Sequence, residues 1–353
     1  MRTMDSARLR RFCLAQALAC ALPLTALAAT PQAASSVPTR FDEAVAAALP
    51  ATLATSVPAD GPMKAGMHDT DDLVVRRRID SQSTYSDGTL VDLYDVQYRG
   101  HDALAIRHGA NLRIVRIEDK RLRTTAFAPG AMPIEKSQPI DSPPPLHAID
   151  EAPAQDATDG LPDDEESKDL HVFAFIHDDV PFNDDEIFDR HFGWWIKRMQ
   201  TDVLEDRSTH VHLRRNIPGI TDPSYGYRGA LSKWMGNALD YVDPILPAPV
   251  GIKYIRNILL VKGAEAEPGA AGVSHRQPGS FAMASTKGSI AVPAHELGHL
   301  LGASHDHAER RFAGPFSTCD TIMYPVDPTA VCKTYSLPNI ELIRGTMKYK
   351  KPR

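Results

Sequence analysis

Between residues 72 and 127 apolar and polar positions alternate in short runs. The runs 73–79, 89–98, 103–106, 112–117 and 122–127 are rich in β-branched and aromatic residues. Asp87-Gly88, Arg99-Gly100, Gly109-Ala110-Asn111 and Glu118-Asp119 separate them. Alternation with a period of two between turn signals predicts a small antiparallel β module. Upstream, residues 29–70 are rich in Ala, Pro, Ser and Thr and contain one short helical pattern at 41–49, the signature of a loosely ordered leader.

Beyond residue 168 the pattern changes to alternating strands and helices. The apolar run 170–176 predicts a strand, and 184–200 a helix whose opening acids Asp184, Asp185 and Glu186 suit its positive N-terminal end. A strand at 211–213 is followed by a helix at 229–241, read through Ala230, Leu231, Trp234, Met235 and Leu239. Run 254–261 is apolar enough to be covered on both faces. After a Gly- and Ala-rich stretch, Val273-Ser274 and 280–284 fit an edge strand and its neighbour. The expected fold is therefore mixed α/β (α+β), with a mostly parallel sheet preceded by the antiparallel module. Phe188, Trp194, Trp195 and Trp234 are expected in its core.

From Pro129 to Lys168 large apolar residues are too sparse for a core, so this stretch reads as an exposed linker. Ten acidic residues against one lysine fall within 141–169, where Pro143-Pro144-Pro145 also lies. A plain spacer and a processing site both suit such a segment. The resulting division is 1–28 signal, 29–140 β-rich module, 141–168 acidic Pro-rich linker and a 169–353 α/β domain.

The chain has 353 residues, 42% hydrophobic and 24% charged, the balance of a globular protein with a substantial core. Its net charge of −6 provides no nucleic-acid footprint. Arg2, Arg8, Arg10 and Arg11 precede an apolar run ending Ala26-Leu27-Ala28, which reads as a cleaved secretory signal. That run contains Pro23 and is short of the roughly 20 residues of a membrane span, so no span is expected after its removal. The mature protein is then secreted or periplasmic. Cys13 and Cys20 leave with the signal, and an oxidising compartment would pair the remaining Cys319 and Cys332. Closing that loop would contribute roughly 3 kcal/mol; two unpaired thiols are the alternative.

Candidate chemistry concentrates in His295-Glu296-Leu297-Gly298-His299-Leu300-Leu301-Gly302-Ala303-Ser304-His305. A helix opening near Pro293 and running to Leu301 would present His295 and His299, four apart, from one face. Zinc needs a further ligand from another direction. Gly302 allows the chain to turn in the left-handed conformation and bring His305 back toward the metal. Glu296, rotated by about 100° from His295, can face an open coordination position as a general base rather than bind the ion. A closed structural zinc site would have no use for that carboxylate. His275 and His307 read as surface residues.

His295 to His305 resembles the elongated zinc-binding signature of the metzincin metallopeptidases, and Thr321-Ile322-Met323-Tyr324-Pro325 is similar to their methionine turn. Pro325 stands where the astacin and serralysin branches place a tyrosine ligand, and His305-Asp306 looks most like the adamalysin or reprolysin branch. The resemblance covers roughly 170–353 and is specific over 295–325. It implies a zinc endopeptidase acting on protein or peptide substrates, with one zinc held by His295, His299 and His305 and with Glu296 as base. It implies an apolar floor from Met323, help in walling the pocket from the chain after it, including Pro325, and pairing of extended substrate with Gly272, Val273 and Ser274. By the same analogy residues 29–168 would act as an intramolecular inhibitor, and without a cysteine between Ala28 and Cys319 they would do so without a thiol ligand. A catalytically silent zinc-containing binding protein, and a peptidase that releases an N-terminal binding module, are the competing readings. A monomer is expected, and a calcium requirement is left open.

Overall fold

The computed structural model describes residues 36–54, 72–118, 120–129, 131–140, 168–242, 244, 252–275, 278–314, 317–325 and 332–349. The signal sequence, the second half of the leader and nearly all of the acidic linker lie outside them. The leader's helical pattern becomes helix α1 (Val37–Ala47), capped by Ser36, whose hydroxyl accepts from the Thr39 amide.

Twelve strands form one sheet. Its first part is β1 (Ala51–Ala54), β2 (Asp72–Thr84), β3 (Leu90–Tyr98), β4 (His101–His108), β5 (Asn111–Glu118), β6 (Arg121–Phe127) and β7 (Ile134–Pro139), an antiparallel meander in which β1 pairs off β2. Its second part is β8 (Leu170–Ile176), β9 (Thr209–Arg214), β10 (Ile255–Val261), β11 (Gly272–His275) and β12 (Phe281–Ser285). Here the order is β11-β12-β10-β8-β9, with all neighbours parallel except the antiparallel edge strand β11. The two parts meet where β2 runs parallel to β9, with Thr84 beside His212. Residues from Ser36 onward form one compact unit.

Strand β7 corrects the reading of 129–168 as linker throughout. Its side chains are nearly all exposed, so it lacks an apolar signal, and what holds it is its ladder with β6. The hairpin β13 (Arg310–Gly314) and β14 (Ser317–Asp320) forms a separate two-stranded sheet.

Helix α2 (184–203) connects β8 to β9, mixing α turns with wider π turns, and opens on a capping box between Asn183 and Glu186. Helix α3 (Ala230–Val242) connects β9 to β10. The two helices cover opposite faces, as alternation along β8 requires. Val172, Ala174 and Ile176 join α2, and Phe173 and Phe175 join Trp234 of α3. The expected aromatic core is buried: Phe188, Trp194, Trp195 and Trp234 are all at or below 7% exposure. Leu239 is the exception, because it lies on the outer face of α3 and is exposed. No helix among the described residues is long and apolar enough to cross a membrane.

Candidate metal centre

Helix α4 (Val292–Leu300) carries Pro293 in its first turn and is buried along its whole length. It ends where the Ala303 amide donates to the Gly298 carbonyl and the Gly302 amide to that of His299, with Gly302 at φ +92°. This is the left-handed glycine stop expected from the sequence. A Cβ on Gly302 would also collide with Thr346 of helix α5 (Leu337–Thr346).

The stop returns His305 to the helix. The Nε2 atoms of His295, His299 and His305 lie 3.0, 3.1 and 3.2 Å from one another. Tetrahedral zinc with bonds of 2.0–2.1 Å separates its ligands by about 3.3 Å. His295 Nδ1 faces the Ile322 carbonyl at 2.8 Å and His299 Nδ1 the Ala303 carbonyl at 3.2 Å. A carbonyl only accepts, so each Nδ1 carries the proton and each Nε2 presents a lone pair. Lone pairs converging at such range repel unless a cation lies among them. Burial, reinforced by the neighbouring imidazoles, pushes the His295 pKa well below its usual value and that of His299 down to about 3. Both rings are thus neutral, as metal ligation demands. These are the three residues among those described that are grouped to hold a metal ion.

Glu296 points elsewhere. It is buried, and burial lifts its carboxyl to about 8. Its Oε2 has no hydrogen-bond partner among the described residues. The carboxylate rests on Gly272 of edge strand β11, where any Cβ would strike Glu296 Oε1. Gly272 therefore makes room for the carboxylate, while Val273 is buried in the α3-side core and Ser274 is half-buried.

Met323 is fully buried beneath α4, and a Cβ on Gly298, between the two helical histidines, would collide with its sulfur. The carbonyl of Ile322, its neighbour, orients His295. Pro325 and Tyr324 are half-buried, and the Tyr324 ring lies under the Arg310 guanidinium at 5.0 Å. Cys319 and Cys332 form a disulfide across this loop. His307 is exposed and His275 half-buried on β11.

Two supports were not expected from the sequence. Asn339, buried in α5, accepts from the Ser304 amide at 2.8 Å and donates to the Ser304 carbonyl at 3.1 Å, clamping the residue before His305. Tyr335 donates to the Ala294 carbonyl at 2.7 Å and accepts from Trp195 Nε1 at 3.0 Å, tying α4 to α2. Ser336 followed by Leu337-Pro338 is a helix-start signature that points to α5.

The three-histidine group has the spacing and donor set that fit a zinc ion. No family model and no curated protein matches the sequence. Among solved structures, metalloproteinase-II from Bacteroides fragilis is similar in fold, with a TM-score of 0.52 and 14% identity over 78% of this chain and 87% of that one. That share of this chain exceeds what residues 140–353 can supply, so the likeness includes residues before 140.

Proposed function

We propose that the protein is a secreted or periplasmic zinc endopeptidase that hydrolyses peptide bonds with Glu296 as general base and acid. The observation that carries this is the convergence of three imidazole Nε2 atoms together with a buried carboxyl group on the same helix, packed against edge-strand Gly272, whose Oε2 has no hydrogen-bond partner among the described residues. A structural zinc site would fill its fourth corner with a protein ligand and would leave Glu296 buried to no purpose. When bound, zinc supplies Lewis acidity toward a carbonyl and lowers the pKa of water.

His295, His299 and His305 hold the ion, with the first two rings fixed by the carbonyls of Ile322 and Ala303. Glu296, lifted by burial but held ionised when a dication sits on the neighbouring imidazoles, takes the proton of the attacking water at Oε2 and returns it to the leaving amine. Strand β11 ends the sheet, and extended substrate adds to it along Gly272, Val273 and Ser274. Met323 keeps the floor under α4 apolar, and Pro325 belongs to the wall of the pocket beyond it. The adamalysin-like branch is part of this proposal and rests on Pro325 occupying the place of a tyrosine ligand.

Replacing Glu296 by Gln keeps shape and removes the base. The expected result is unchanged zinc content with peptide cleavage reduced by about 10²–10⁴-fold. Cleavage at the wild-type rate would show that Glu296 is not the base. A wild-type protein that binds zinc and cleaves no peptide library would be the silent scaffold instead.

A further inference from the structure

Helix α2 belongs to residues 168–349 by sequence, yet part of its covering comes from the N-terminal sheet. Leu104, Ile106, Val115 and Leu122 share one buried apolar cluster with Phe188, Phe192 and Trp195 of the helix. Gly193 faces β4 so closely that a Cβ would lie 2.6 Å from Leu104 Cδ2. Alternate residues of the same strands, such as Ala105 and Ile114, face the other way toward Phe41 of α1. The meander is therefore a layer between two helices, one from each side of the acidic linker.

The charges follow the same division. Arg113 on β5 pairs with Asp189 on α2 at 2.9 Å, both almost wholly buried. Lys197 on α2, buried as well, lies 2.8 Å from Asp95 and 3.0 Å from the Ala103 carbonyl. At the strand seam, Ser83 Oγ accepts from the Val211 amide and Ser81 Oγ donates to the Thr209 carbonyl, each at 2.9 Å. Separating the layers would leave a buried acid on one piece and a buried guanidinium on the other, each without its counter-ion. It would also wet an apolar face on both.

We infer that residues 36–139 are a resident half of the working protein: once the acidic linker is cut, the two pieces remain one non-covalent assembly. The N-terminal strands frame α2, and their contacts also reach Ser208, whose hydroxyl donates to Asp80 at 2.6 Å, strand β9, and Lys333, whose Nζ donates to the Ile117 carbonyl at 3.4 Å. Scission of the linker then creates two chain ends without releasing a domain. This inference is independent of the peptidase reading, because its readout is physical association.

The test places a specific protease recognition sequence between positions 145 and 160 of the full chain, which is folded first and cut afterwards. The expected result is a single gel-filtration peak at the elution position of the uncut protein, containing both pieces in equal amounts. In the cut protein, Lys197→Met should lower the urea concentration at which the pieces part, with zinc content unchanged before they do. Elution of a separate 168–353 piece in native buffer would overturn the inference, and so would a separation midpoint indifferent to Lys197→Met.

Discussion

Among the described residues two trios of buried and half-buried histidines can be compared, and one of them is arranged for a metal. At the metal centre three Nε2 atoms converge, and the opposite nitrogens of His295 and His299 are spent on carbonyls. In the sheet seam, His171, His210 and His212 lie on β8 and β9 with rings as close as 4.5 Å. There two of the rings are linked in a chain that ends on Thr84, and the third binds Gln82 separately. His171 Nδ1 meets His212 Nε2 at 3.1 Å, His212 Nδ1 meets the Thr84 hydroxyl at 3.1 Å, and His210 Nδ1 accepts from the Gln82 amide at 2.7 Å. Burial and crowding of imidazoles are common to both; the direction of the unspent lone pairs separates them. The first trio is arranged to hold a cation, and the second to join strands β2 and β9.

The largest expected effect is at the first trio. His299→Ala should lose zinc and peptide cleavage together, by metal analysis of the purified protein, whereas His212→Leu should retain zinc at one per chain. A next, smaller effect belongs to the second trio. Burial, with the neighbouring imidazoles, lowers the pKa of His171 to about 4 and that of His212 to about 3, with Asp169 pulling upward on His171 and Arg214 downward on His212. These folded-state values lie below the unfolded value of about 6.5. The unfolded chain therefore binds more protons as acid is added. The stability from neutral burial is full above pH 6.5 and declines as pH falls toward 4. The slope is at most about 1.4 kcal/mol per pH unit for each histidine. Urea midpoints of zinc-loaded protein between pH 7 and 4 should show this decline, and His212→Leu should flatten it. The smallest effect is His307→Ala: the side chain is exposed, so zinc content should not change and stability should stay within about 0.5 kcal/mol.

The same contrast explains what the sequence disclosed. The ligand helix was legible because its geometry is local: two histidines one turn apart, a glycine stop and a third histidine all fall within eleven residues. Strands β8 and β10 were legible because both faces are covered, which leaves continuous apolar runs. The histidine seam was not, since its partners Gln82 and Thr84 stand 128 residues from His210 and His212. Strand β7 escaped because backbone pairing holds it while its side chains face water. Asn339 and Tyr335 escaped because their roles depend on how α5 and the preceding chain pack against α4, which no spacing encodes.

The central claim is that His295, His299 and His305 share one zinc ion with a corner open to solvent. X-ray absorption at the zinc edge of the purified protein, combined with metal analysis, tests it most directly. The account predicts one zinc per chain with three imidazole nitrogens and one light oxygen ligand at about 2.0–2.1 Å. A sulfur shell near 2.3 Å, a fourth imidazole, or protein that takes up no zinc would contradict it.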